Sequence, residues 1–264
     1  MYLSCLLINT GSDPDRERPA RNWLRNLYRV HQRLSMAFPS SEYKAVDPLF
    51  VQPYDPTKFS QNLDSGQKRS TDGGFLFRVD HRSNGPTVIL VQSAIIPDWD
   101  YAFQSLNHPD KPETSFFAAP PQVRPFETQF KQGSQLRFRL LANPTKKVDA
   151  ADKSLRTDPT RTAPLTRKQL DGRRVPVPDD KLVSWLERRA AASGFQVRRI
   201  DSLVPGYILA LNNKENGAGA RFRSALYDGV LSVDDPTAFR QAVIQGIGPA
   251  KAFGFGLLSV AVIP

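Results

Sequence analysis

FLFRVD at 75–80, SNGP at 83–86 and TVILVQSA at 87–94 decide how the chain folds, because they read as two strands and the turn that joins them. Branched and aromatic side chains fill both runs, and Asn-Gly-Pro punctuates them. Upstream, MYLSCLLIN (1–9) reads as a buried strand. Residues 20–38 repeat at helical period, with Trp23, Leu24, Leu27, Val30, Leu34 and Phe38 on one arc, and Pro39 ends the helix. Residues 40–73 are polar, follow neither period and read as an inserted loop. Strand, helix, strand, strand is the front of a ferredoxin-like unit.

The same order recurs downstream. Residues 97–121 are rich in Pro, Asp and Asn and read as a loop or a crossing between domains. QLRFRLLA (135–142) alternates strictly, putting Leu136, Phe138 and Leu140 on one face and Arg137 and Arg139 on the other. DDKLVSWLERRAAAS (179–193) reads as a helix, with Asp179 and Asp180 at its start and Gly194 past its end. FQVRRIDSL (195–203), YILALN (207–212) and RFRSALYDGVLSV (221–233) read as strands. A helix over 236–245, a glycine-rich loop and the strand FGLLSVAVI close the chain. The expectation is an α+β protein of two tandem ferredoxin-like (RRM-like) domains, 1–97 and 121–264, joined through 98–120. A length of 264 residues accommodates two domains of about 150 or fewer.

Charge points to the partner. Thirty-six Lys and Arg against 26 Asp and Glu leave a formal +10, the balance of a protein that meets a polyanion. Membrane is the competing reading, and no run of about 18 apolar residues supports it. The first nine residues lack a basic n-region and form too short an apolar stretch for a signal peptide. The single cysteine, Cys5, cannot close an internal disulfide, which agrees with a reducing cytoplasm. Residues 144–175 hold nine Lys or Arg against four Asp and read as a mobile basic segment; Lys146, Lys147, Arg156, Arg161, Arg167, Lys168, Arg173 and Arg174 are its candidate phosphate contacts.

Arg21, Arg25, Arg29 and Arg33 recur every four residues, which on one helix would align them in a stripe beside the apolar arc. Tyr28 and His31, three apart, fall between stripe and arc. Cutting RNA without a metal needs one group to take the 2'-hydroxyl proton, one to protonate the leaving 5'-oxygen, and cations at the phosphoryl oxygens. An imidazole titrating near neutrality can do either proton task, a phenol can orient or donate, and arginines can hold charge. The plain alternative for His31 is a satisfied core histidine. His81 and His108 have no partner at metal-binding spacing, and the pairs Asp13 with Asp15 and Asp98 with Asp100 lack a third carboxylate, so no metal site is expected. GIGPAKAFGFG (246–256) carries Gly246, Gly248, Gly254 and Gly256 around Lys251. Its order, helix first and strand after, is the reverse of a nucleotide-binding loop, so no small-molecule cofactor is expected. Tight packing and a close RNA backbone remain as readings.

MYLS, NLYRVHQRLSMAFP, LRFRLLANPTKKV and YDGVLSVDDPTAFRQAVIQGIGPAKAFGFGLLSV together resemble the CasE family of CRISPR repeat endoribonucleases, in order over nearly the whole chain. The resemblance implies tandem ferredoxin-like domains and cleavage at the base of the repeat hairpin. The expected products are a 2',3'-cyclic phosphate and a 5'-hydroxyl, with the mature crRNA retained among the other Cascade subunits. It puts His31 on the family's helix histidine and Tyr28 on its tyrosine, the basic segment where the family grips the stem, and Lys251 in its glycine-rich motif. Residues 52–74 and 98–120 are longer and more polar than the family's pattern. Its third, basic catalytic group has no single match here, with Arg29 and Arg33 as candidates. The alternatives are a non-catalytic RNA-binding subunit and a protein that reads duplex DNA phosphates.

Overall fold

Tyr2–Ile8 forms β1, and alternation sends Ser4, Leu6 and Ile8 to one fully buried face. The computed structural model describes residues 1–10, 19–38, 74–82, 85–104, 106, 115–127, 129–147, 174–210 and 220–263. They form two compact units, one of Met1–Gln129, Leu209–Ala220 and Lys251–Leu257, the other of Phe130–Ile208, Arg221–Ala250 and Leu258–Pro264.

In the first unit, β1 is followed by α1 (Pro19–Leu24), α2 (Leu27–Ser35), β2 (Phe75–Asp80), β3 (Thr87–Ser93), α3 (Trp99–Phe103) and β4 (Phe117–Pro125). The sheet order is β2-β3-β1-β4, with every pairing antiparallel. Leu6 pairs with Ile89 and Phe77 with Val91, so one face of the sheet is continuously apolar. Helix α2 covers it with Leu27, Val30 and Leu34, and Trp23, Phe103 and Phe116 pack edge to face beside them. The stretch read as a loop or linker thus supplies α3 and β4, and β4 completes the sheet against β1. The first unit takes in Met1–Gln129 with Leu209–Ala220 and Lys251–Leu257, and β4 lies on the second edge of β1.

The single helix expected over 20–38 is two. At Asn26 the backbone turns extended (φ −113°, ψ 91°) and its side chain accepts hydrogen bonds from the backbone N–H groups of Tyr28 (3.2 Å) and Arg29 (3.3 Å). Asparagine offers the backbone this alternative to a continuous helix. The four-arginine stripe is therefore broken: Arg21 rides on α1, Arg25 sits in the junction, and only Arg29 and Arg33 share α2.

The second unit runs β5 (Gln135–Ala142), β6 (Thr145–Lys147), β7 (Arg174–Pro176), a 3-10 turn (Asp179–Lys181), α4 (Leu182–Ala191), β8 (Phe195–Ala210), β9 (Ala220–Val233), α5 (Pro236–Gln245) and β10 (Leu258–Val262). Its main sheet has the order β10-β5-β9-β8. Numbered within each unit, both sheets have the permutation 2-3-1-4, so each unit is ferredoxin-like. The two strands expected over 195–212 are one 16-residue strand, β8. Asp235 caps α5, and Phe239 on that helix is fully buried between Phe130 and Phe195. β6 and β7 pair as a separate two-stranded ribbon. Among the described residues, no helix is long and apolar enough to cross a membrane.

Gly229 on β9 lies where a Cβ would collide with the carbonyl oxygen of Arg199 on β8 and crowd Phe138. Gly229→Ala is expected to destabilise the chain by about 1–3 kcal/mol, measured by denaturant unfolding; an unchanged midpoint would contradict this packing.

Candidate active site

Tyr28 and His31 sit one turn apart on α2, and several bonds fix where that helix lies. The Asn26 cap holds its first turn, and the Trp23 indole N–H donates to the Arg29 carbonyl (3.3 Å). From its other end, the Arg33 guanidinium donates to the Ala102 carbonyl on α3 (3.1 Å), and the Asp98 N–H donates to the Ala37 carbonyl (2.8 Å).

β2 fixes the imidazole. Phe75 and Phe77 alternate onto the face that α2 covers, and both are buried. The His31 ring stacks on Phe75 at 5.1 Å and 23°, and on Phe77 at 6.1 Å and 25°. Phe38 stacks on Phe75 as well, at 5.1 Å and 22°, so three rings lie nearly parallel. His31 remains half-buried, as does Tyr28. The faces of the imidazole are thus set against carbon.

A segment from the far end of the chain completes the surroundings. The 3-10 turn Lys251–Phe253 packs on both α2 and β2. The Phe253 ring lies 6.5 Å from that of Tyr28. Gly254 follows at φ +79°, its N–H bonded to the Lys251 carbonyl (3.2 Å), and a Cβ there would come within 3.2 Å of the Phe77 ring. Glycine lets the turn lie against that ring without strain. An imidazole, a phenol and a lysine-bearing turn thus meet around one helix face, a set suited to moving protons and neutralising an anion. Among the described residues, no group of three or more His, Cys, Asp or Glu could hold a metal ion.

The sequence profile of the family described as CRISPR associated protein matches residues 1–262. The chain is 32% identical to the CRISPR-associated endoribonuclease Cse3 of Thermus thermophilus, across 99% of this chain and 100% of that one. It is 28% identical to the CRISPR system Cascade subunit CasE of Escherichia coli, across 99% of each. The chain belongs to the CasE family. A solved structure of the endoribonuclease Cse3 bound to a 19-nucleotide RNA has a TM-score of 0.63 to it at 28% identity, covering 99% of this chain and 100% of that one.

The other candidate residues of this CasE-family chain are spread over both units. Arg25 and Arg29 are exposed, whereas Arg33 is half-buried and bonded to Ala102. Arg137 and Arg139 project from β5 on the face opposite the core, but Arg139 is bidentate to Asp228 of β9 (2.6 and 3.2 Å), so its charge is already countered. Lys146, Lys147 and Arg174 are exposed on the β6–β7 ribbon, which the Trp185 indole anchors by donating to the Thr145 carbonyl (3.3 Å). Arg156, Arg161, Arg167, Lys168 and Arg173 lie outside the described residues. The glycine-rich loop divides: Gly246 ends α5 and Gly248 faces Trp185 in the second unit, while Lys251, Gly254 and Gly256 belong to the first.

Phe75, Phe77, Phe253 and Asn26 were not singled out by sequence, and Phe38 was read only as part of the apolar arc. The two β2 phenylalanines were legible as one face of a strand, but nothing local says that a histidine would stack on them. Tyr227 is a structural phenol, since its hydroxyl donates to the Leu182 carbonyl (3.0 Å) and burial pushes its pKa well above the ordinary range, with Arg223 opposing in part.

Asn26→Ala removes the acceptor shared by two N–H groups at the start of α2. It is expected to cost about 1 kcal/mol, read as a lower denaturant midpoint of the full chain, with Asn26→Asp recovering most of the loss.

Proposed function

We propose that this chain is a metal-independent endoribonuclease that cuts CRISPR repeat hairpins in precursor CRISPR RNA and keeps the product within Cascade. The observation that carries the reading is the Tyr28 and His31 pair on α2, with the imidazole stacked on Phe75 and the lysine-bearing turn alongside. Support comes from the relatives, one named as an endoribonuclease, one as a Cascade subunit, and one solved with RNA bound.

The reaction uses the RNA's own nucleophile. The ribose 2'-oxygen attacks the adjacent phosphorus, an O2'–P bond forms, and the P–O5' bond breaks. The 2'-hydroxyl loses its proton to a base, and the departing 5'-oxygen receives one from an acid. The products are a 2',3'-cyclic phosphate and a 5'-hydroxyl. His31 moves one of these protons, and Tyr28 orients the reacting groups or donates a hydrogen bond. In this division of labour the first unit carries the chemistry. The second grips the stem through Lys146, Lys147 and Arg174 on the ribbon and the basic residues that continue from it. Work on a precursor transcript implies a cytoplasmic protein, consistent with its lone cysteine.

The half-buried, stacked imidazole also fits a second reading, a non-catalytic RNA-binding subunit. Incubating the protein with a synthetic repeat hairpin in EDTA separates the two. His31→Ala is expected to lower the cleavage rate at least ~100-fold while hairpin affinity changes little. Undiminished cutting by the variant sinks the catalytic assignment, and a wild-type protein that turns over no repeat RNA leaves only the binding subunit.

Phosphate grip is tested through salt. Replacing Lys146, Lys147 and Arg174 together by alanine is expected to weaken hairpin binding and to reduce the slope of log K against log salt by roughly one for each phosphate-binding side chain removed. An unaltered slope would move the grip elsewhere.

A further inference from the structure

In-line attack at phosphorus builds negative charge on the non-bridging oxygens, and a cation fixed at that point lowers the barrier. The arginines of α2 are poorly placed to supply it. Arg29 and Arg33 are each two residues from His31, which is about 200° round the helix axis. Arg33 also commits a donor to the Ala102 carbonyl (3.1 Å). On β2, Arg78 is buried with its Nε bonded to both carboxylate oxygens of Asp80 (2.9 and 3.0 Å), and strand alternation points it away from the Phe75 and Phe77 face.

The turn Lys251–Phe253 is placed differently. It packs on α2 and β2 together, with Phe253 beside Tyr28 and Gly254 against Phe77, whose ring lies 6.1 Å from that of His31. Both partners of the candidate pair are therefore bracketed by neighbours of Lys251. The lysine itself is half-exposed. Its backbone is held on each side. Ala250 before it takes a left-handed conformation (φ 61°), the only non-glycine among the described residues with a positive φ, and the Gly254 N–H closes on the Lys251 carbonyl. A non-glycine residue kept at positive φ stores strain that the surrounding packing must hold, as at sites where position matters.

We propose that Lys251 is a catalytic residue whose ammonium neutralises the scissile phosphate as the O2'–P bond forms and the P–O5' bond breaks. This rests on the endoribonuclease reading with His31 as a proton-transfer group. It assigns the glycine-rich segment a role in the chemical step, beyond general contact with RNA, and makes the first unit's reaction depend on residues near the C-terminus.

The test uses the full chain and a synthetic hairpin of the repeat, in EDTA, under single turnover with protein in excess. Lys251→Met is expected to cut the rate constant at saturation on the order of 100-fold, with hairpin Kd within about threefold. Lys251→Arg should recover part of the rate because it restores charge, which a purely structural role would not require. A Lys251→Met protein that cleaves like wild type, while His31→Ala is inactive, overturns the proposal and leaves the endoribonuclease reading standing. Loss of affinity that accounts for the whole rate loss also overturns it, making Lys251 an ordinary phosphate contact. If His31→Ala cleaves normally, the underlying reading fails and the proposal falls with it.

Discussion

The His31 imidazole lies nearly parallel to the Phe75 ring, and the geometry of the candidate site follows from that contact. A histidine on an exposed helix face rotates among rotamers, and a group that must meet a proton along one line gains little from such freedom. Stacking on Phe75, which also stacks with Phe38, and on Phe77 restricts the ring plane at about 0.5–1.5 kcal/mol per aromatic pair. Everything else in the first unit serves that placement: Asn26 sets where α2 begins, Arg33 ties it to α3, and β3 holds β2 in register.

The two units share a strand order but differ in what they add to it. The first adds a broken helix and a deep aromatic cluster, which position a few side chains closely. The second adds a short ribbon, β6–β7, and two strands of 16 and 14 residues, β8 and β9, where its main sheet otherwise has strands of eight and five. Ribbons and long strands expose many side chains along a line, a geometry suited to a charged backbone rather than to a single reacting atom. A duplicated scaffold with divergent additions thus accounts for one chain holding both a compact aromatic cluster around Tyr28 and His31 and a basic ribbon.

Local signals in the sequence reached as far as local physics decides. The alternation of QLRFRLLA put Leu136, Phe138 and Leu140 in the core and Arg137 and Arg139 outside, as found. The apolar arc of residues 20–38 was real, since Leu24, Leu27, Val30 and Leu34 are all buried, yet the helix carrying it is interrupted, because period alone does not register a capping asparagine. The prolines of residues 117–125 hid a strand that forms because β1 offers an unpaired edge. Of the site, Tyr28 and His31 were legible as a pair one turn apart. Their neighbours Phe75 and Phe253 were not, because they come from 44 and 222 residues beyond His31, a separation at which only the folded register brings residues together.

Counting basic residues also overstates what a polyanion meets, and the ion pairs show by how much. Arg78 is committed to Asp80, Arg139 to Asp228, Arg199 to Asp201 and Arg223 to Asp179. Arg78 and Arg223 are buried, so their charges hold strands and turns together, and a lost carboxylate there would strand a cation away from water. Subtracting such pairs leaves the formal +10 unchanged but redistributes it, because each removes one cation and one anion from the exposed set. The excess then sits on groups such as Arg25, Arg29, Lys146, Lys147 and Arg174, all exposed and outside those four pairs. That partition divides these arginines and lysines between architecture and an exposed basic surface more sharply than sequence spacing does, because spacing does not register which carboxylate each guanidinium meets in the fold.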